Sequence, residues 1–288
     1  MKCLIKLFFS LHSLYRFLPR SSSALFFSWV LSLLFLISHS HLHAEKIIAP
    51  DGSTNDRFSI VSKSGNIIVV GAYGAEAAYL FRQEANGTST YLTKVTAPDS
   101  VIDDRFGYSV SQSGNILAVG AYYADVGGIS KAGAAYLYKL ESNNSATYLT
   151  KVIAPDGAAN DFFGYSLSLS DNTLAVGAYC SDPGFSSNAG AVYLYQLEAN
   201  GSTTYMSKVT APDGGAEDFF GNSLSQSGNI LAIGARGDNS NAGSAYLFQL
   251  ENDGSVSYLA KVSAPDAAST DKFATAISLS GNILAVGA

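Results

Sequence analysis

Ten aspartates recur in register along this chain, and carboxylates in pairs are the first residues that could do chemistry. The tripeptide Ala-Pro-Asp ends at Asp51, Asp99, Asp156, Asp213 and Asp266. A second carboxylate follows five residues after each, at Asp56, Asp104, Asp161, Asp218 and Asp271. Paired carboxylates can share a proton for hydrolysis or gather oxygens around a hard cation. They also build turns, because Pro presets φ and an Asp side chain caps neighbouring backbone N–H groups. A structural need repeats with every unit, whereas a catalytic site does not. Five equal pairs with no singular one therefore point to turn chemistry and unit-to-unit bonding.

Other chemistry is sparse. All four His lie in the first 44 residues, at positions 12, 39, 41 and 43. Beyond them a Ser-His-Asp or Cys-His arrangement cannot form, nor can His-bearing zinc or haem sites. No P-loop or dinucleotide fingerprint is present, since the Gly residues follow strands with no helix after them. The expectation is a protein that is not an enzyme and holds no cofactor. Arg236-Gly237-Asp238 forms an RGD tripeptide, a candidate adhesion signal carrying little information. Asn86, Asn143 and Asn200 head N-x-Ser/Thr sequons at intervals of 57 residues, as hairpin-turn composition also produces. Cys180, alone after the N-terminal segment, leaves no internal disulfide and reads as a small buried or half-buried side chain, with an intermolecular thiol as the alternative.

The N-terminus reads as a leader. Lys2, Lys6, Arg16 and Arg20 form a positive region, Leu25 to Ile37 an apolar run, and Ser38 to Ala44 a polar stretch ending in a small residue. That order marks residues 1–44 as a secretory signal peptide. The run is shorter than the ~20 apolar residues of a membrane span. The expected location is secreted or at the cell surface, with no membrane insertion after cleavage. Residues 45–288 carry 13 basic against 23 acidic side chains. So acidic a chain has no electrostatic footprint for nucleic acid.

The aspartate pairs are positioned by an internal repeat. Two residues beyond each second Asp stands a Phe, at Phe58, Phe106, Phe163, Phe220 and Phe273. An apolar run follows and ends in Gly-Ala at Gly71, Gly120, Gly177, Gly234 and Gly287, then a Tyr-rich run and a Tyr-x-x-Lys-Val segment. Each unit reads as four short strands: Phe106 to Ser111, the all-apolar Asn115 to Ala121, Ala134 to Leu140, and a half-polar outer strand from Thr147 to Ile153. Asn-Gly at Asn86 and Asn200 marks the last hairpin. A period of ~50 residues with four strands is that of a β-propeller, with a solenoid of stacked sheets as the alternative. The units span approximately 46–97, 98–154, 155–211 and 212–264, with a partial fifth at 265–288.

Phe-Gly at Phe106, Phe163 and Phe220, with Gly-Ala in five units, resembles the FG-GAP repeat of integrin α-like propellers, in its divergent bacterial and marine form. The first unit has Phe58-Ser59, the last Phe273-Ala274, and the Pro of the motif is replaced by Tyr73, Tyr122, Tyr179 and Arg236. The resemblance implies an all-β fold of four-stranded antiparallel blades, about four complete and a fifth partial. Such propellers commonly have seven blades, so a truncated seven-blade propeller is expected. Glu45 to Ala49 matches the end of a fourth strand and could lend an outer strand to the last blade. The resemblance also implies calcium in the loop after each Gly-Ala strand. Here those loops offer Asp125, Asp182 and Asp238, one carboxylate each. The function expected is a binding or scaffold module for a protein or glycan partner, read by the loops 122–133, 179–190 and 236–243. A non-catalytic part of a longer secreted enzyme and a structural cell-envelope component are the alternatives.

Overall fold

A computed structural model describes residues 46–288, apart from Phe185 and Asn252. The leader expectation therefore lies outside the described residues. The fold is all-β, a run of β-propeller blades. Blade one comprises β1 (Phe58–Ser64), β2 (Ile67–Ala72), β3 (Ala77–Gln83) and β4 (Ser89–Val95). Blade two comprises β5 (Phe106–Ser113), β6 (Ile116–Ala121), β7 (Ala134–Leu140) and β8 (Ala146–Val152). Blade three comprises β9 (Ser166–Ser170), β10 (Thr173–Ala178), β11 (Ala191–Leu197) and β12 (Thr203–Val209). Blade four comprises β13 (Phe220–Ser227), β14 (Ile230–Ala235), β15 (Ser244–Leu250) and β16 (Val256–Val262). Only β17 (Ala276–Ser280) and β18 (Ile283–Gly287) pair in the fifth. Each sheet is an antiparallel meander in sequence order, and the sheets do not close on themselves.

The strand types follow from burial. The second strands are apolar on both faces because both faces are covered, five of the six residues being buried in β2, β6, β10 and β14. The outer strands are covered only in part, leaving Tyr91, Tyr148, Tyr205 and Tyr258 41–47% exposed. Each third-to-fourth strand pair carries a bulge at the same place, between Leu and the following aromatic residue, as at Leu194/Tyr195.

The two glycines of the repeat meet across blade boundaries. Gly164 has φ +89°, and a Cβ there would overlap the Ala134 carbonyl of the preceding blade. Its own carbonyl lies against Gly120, where a Cβ would strike it. The same carbonyl accepts a hydrogen bond from Ser109 Oγ at 2.7 Å, and Gly221 accepts one from Ser166 at 2.6 Å. Phe-Gly of one blade thus locks into Gly-Ala of the blade before it.

The Phe completes the lock. Phe106, Phe163 and Phe220 are fully buried, each among Ala, Val and Leu of the preceding blade. Their N–H groups bond back across the boundary, Phe163 to Ala132 O and Phe220 to Ala189 O. The first boundary differs because the loop after β2 is too short. There the Glu76 carboxylate accepts from Arg105 N at 3.0 Å and Phe106 N at 2.6 Å. First-strand serines add further stitches, their hydroxyl oxygens accepting from the next blade, as Ser111 Oγ does from Leu169 N and Ser225 Oγ from Leu279 N.

The N-terminal segment departs from expectation. Residues 46–49 form no strand. Ile47 and Ala49 instead pack on the first blade, against the cluster of Ile68, Val70, Tyr79 and Phe81. Among the described residues no earlier blade covers Phe58, which packs against the same cluster as Ile47 and Ala49.

Candidate functional site

The paired aspartates occupy two distinct structural positions. The first of each pair joins a triad built within one blade. Asp51, Asp99, Asp156 and Asp213 each accept from a buried third-strand tyrosine, Tyr79, Tyr136, Tyr193 and Tyr246, at 2.7–2.8 Å. Each also pairs with a fourth-strand lysine, Lys94, Lys151, Lys208 and Lys261, at 2.6–2.8 Å. The ammonium sits 5.0–5.2 Å from the centre of the tyrosine ring, a cation–π contact. The second Asp caps its own turn. Asp104 accepts from Val101 N, Asp161 from Ala158 N, Asp218 from Gly215 N, Asp271 from Ala268 N, and Asp56 from Ser53 N. Asp266 belongs to the fifth unit, whose sheet has no third strand to supply a tyrosine.

In the third unit the two positions titrate in opposite directions. Partial burial raises the Asp156 carboxyl, but hydrogen bonds from Lys208 and Tyr193 outweigh it and hold the group below the usual 3.8. Burial dominates at Asp161 and pushes its carboxyl up, against the opposing bond from Ala158 N. Stability supplied by Asp156 is therefore complete above pH 3.8 and is lost as pH falls through its folded value. Asp161 costs stability at neutral pH, and that cost vanishes as pH falls through its raised value. Asp156→Asn is expected to lose about 1 kcal/mol at pH 7, a figure reduced for an aspartate side chain that is 56% exposed. Asp161→Asn keeps an acceptor for Ala158 N and is expected to be neutral or stabilising by up to about 1 kcal/mol at pH 7. Urea midpoints at pH 7 and pH 3 check both. The Asp156→Asn deficit should shrink at the lower pH.

The three loop aspartates brace backbone or meet a cation of their own. Asp125 accepts from Lys131 N at 2.8 Å and Asp182 from Asn188 N at 2.6 Å. Asp238 is buried, with Lys261 Nζ 2.7 Å from its Oδ2, so this lysine serves two carboxylates. Among the described residues no three His, Cys, Asp or Glu side chains gather where they could hold a metal ion.

The RGD tripeptide is divided by its surroundings. Arg236 lies over the rings of Tyr179 and Phe219, at 5.6 and 5.0 Å, while Asp238 points into its ion pair. Its two charges are used inside the fold. Burial pushes the half-buried Cys180 thiol up to about 11, which keeps it protonated at neutral pH.

A band of aromatic rings at the Phe-Gly end was not foreseen. Tyr73 touches Tyr108, which meets Tyr122 and Tyr165. Tyr123 stacks on Phe162, and Phe162 on Tyr179, with interplanar angles of 26° and 19°. Tyr179 continues to Phe219. Every ring of this series is half-buried, so the band crosses blades one to four along the surface. Cations lie over it: Arg57 on Tyr73, Arg105 and Lys131 on Tyr123, and Arg236 at the far end.

The profile of the FG-GAP repeat matches residues 43–93, 89–138, 147–195, 203–248 and 257–288. The chain belongs to the FG-GAP repeat family. The four matches after the first begin one strand early, so that 89–138 takes in β4 to β7 and crosses a blade boundary. Each complete repeat carries one Phe-Gly or its counterpart and one Gly-Ala, whose lock partners lie in the neighbouring repeats. No curated protein matches the chain. The crystal structure of the computationally designed Ika4 protein aligns with 72% of this chain and 99% of that chain, at 14% identity and a TM-score of 0.42. Among the described residues no helix is long and apolar enough to cross a membrane. In FG-GAP terms, the aromatic band arises largely where the motif's Pro is replaced by Tyr73, Tyr122 and Tyr179, together with the residue just before each Phe-Gly. That coincidence of two substituted positions was the available signal.

Proposed function

We propose that this FG-GAP chain is a secreted or surface-displayed binding module that acts by recognition rather than turnover, through the Phe-Gly end of its blades. The observation that carries this reading is the half-buried aromatic band with its four cations. A core does not need rings left half in water, and a contiguous exposed series of them is the composition of a recognition surface. The leader pattern of residues 1–44 and the lack of His beyond it support an exported, non-catalytic role. The loops after the second strands border the band and are shorter in blades one and four than in blades two and three, so the edge changes along the band.

The full chain, immobilised, is presented with purified polysaccharides and extracellular proteins. Retention of at least one of them is expected to fall tenfold or more with Tyr123→Ala or Phe219→Ala. It should be unchanged with Asn86→Ala or Asn200→Ala, which lie on exposed hairpins at the opposite end of the strands. Equal retention by both sets of variants would refute a binding face at the Phe-Gly end.

A further inference from the structure

The hairpins that join third and fourth strands close in one way in blades one to four. The Glu84 carbonyl accepts from Gly87 N at 2.9 Å, and Glu141, Glu198 and Glu251 repeat the bond three residues on. Two residues after each glutamate stands Asn86, Asn143, Asn200 or Asp253. Its Oδ1 accepts twice from the residue two places further, from the backbone N–H at 2.9–3.0 Å and from a Ser or Thr hydroxyl at 2.6–2.7 Å. Blade four shows what the turn itself requires. Asp253 makes both bonds with a carboxylate oxygen, so the fold has no use for an amide nitrogen at this position. Three blades nonetheless carry one. Among the described residues the Nδ2 of Asn86, Asn143 and Asn200 donates to nothing.

Placement and chemistry both suit these nitrogens to modification. All three asparagines are exposed, at hairpin tips on the opposite end of the strands from Phe-Gly. Asn-x-Ser/Thr occurs nowhere else in the sequence, although asparagine also stands in other turns, at Asn55, Asn160, Asn188 and Asn239. An amide nitrogen is a weak nucleophile because its lone pair is shared with the carbonyl. When Nδ2 gives up a proton, the charge settles on Oδ1, where the hydroxyl and N–H of the turn already point. Each tip therefore joins an unpartnered nitrogen to two donors that stabilise its reactive form, within the triplet that accepts N-linked sugar.

We propose that Asn86, Asn143 and Asn200 are acceptors for N-linked carbohydrate, one sugar chain at the tip of each of blades one to three. The donor is an oligosaccharide linked to a lipid pyrophosphate, presented by a transferase on the exported side of the membrane. Nδ2 attacks the anomeric carbon of the first sugar. The N–C bond forms as the C–O bond to pyrophosphate breaks, the lipid pyrophosphate leaves with the electron pair, and a base of the transferase takes the Nδ2 proton. The inference rests on the exported reading above, and it keeps the sugar clear of the Phe-Gly end.

The test is the mass of the full chain, isolated from the cells that produce it and measured intact and as peptides. Three equal carbohydrate increments are expected, on a chain lacking residues 1–44. Asn86→Asp, Asn143→Asp and Asn200→Asp should each remove one increment and, by the precedent of Asp253, leave the turn intact. Thr88→Val should remove the increment on Asn86 although the asparagine remains, and Asp253→Asn should add a fourth. A chain without its leader at the plain polypeptide mass, carbohydrate at fewer than two of the three tips, or an increment that survives replacement of all three asparagines overturns the proposal. A chain of plain polypeptide mass that still carries residues 1–44 overturns it together with the exported reading.

Discussion

Replacing Gly164 by alanine is expected to lower stability by about 3 kcal/mol, seen as a reduced urea midpoint with an unchanged slope. Two costs coincide there. The backbone sits at φ +89°, where an L side chain is strained, and the new Cβ would overlap the Ala134 carbonyl. Backbone on both sides of the contact leaves little room to yield. The reverse experiment exists in the same chain. Ala274 holds the equivalent position in the fifth unit, with φ +70° and its side chain fully buried. Its carbonyl accepts from Ser223 Oγ at 2.7 Å, the counterpart of the Ser109 to Gly164 bond. Ala274→Gly is therefore expected to gain about 1 kcal/mol. A Gly164→Ala variant within about 0.5 kcal/mol of the parent would show that the blade boundary is softer than this packing implies.

Much of this lock was legible in the sequence, and the reason is periodicity. A Phe-Gly and a Gly-Ala in register at every unit fix the first strand and the end of the second, and the structure places β5 and β6 within two residues of where the alternation puts them. The third strand Ala134–Leu140 agrees at both ends. The paired aspartates were legible as turn residues, but not that the two differ, because the triad of Asp156 depends on Tyr193 and Lys208, 37 and 52 residues away. The substitution of Glu76 for a backbone acceptor was hidden for a similar reason: it compensates a loop length, and no local pattern encodes it. The aromatic band was missed because its members are spread over separate turns. Tyr123, Phe162 and Tyr179 come from three different turns and meet only when blades pack side by side.

The triad supplies the second large effect. Tyr193→Ala is expected to cost about 4 kcal/mol, and Tyr193→Phe about 1 kcal/mol. The ring carries most of the difference. It is fully buried, meets Phe163 edge-on at 5.5 Å and 66°, and holds Lys208 Nζ 5.0 Å from its centre. Alanine leaves a cavity between two blades, since Phe163 is itself pressed into the small-residue face of the blade before. Phenylalanine keeps the packing and the cation–π contact and removes only the 2.8 Å bond to Asp156, whose carboxylate is half in water and still paired with Lys208. Combining Tyr193→Phe with Asp156→Ala should then cost less than the sum of the two single changes, because each removes one end of the same hydrogen bond. Equal losses for Tyr193→Phe and Tyr193→Ala would place the stabilisation in the hydroxyl rather than the ring. Strict additivity with Asp156→Ala would mean that the hydrogen bond, despite recurring in four blades, contributes nothing to the stability of the fold.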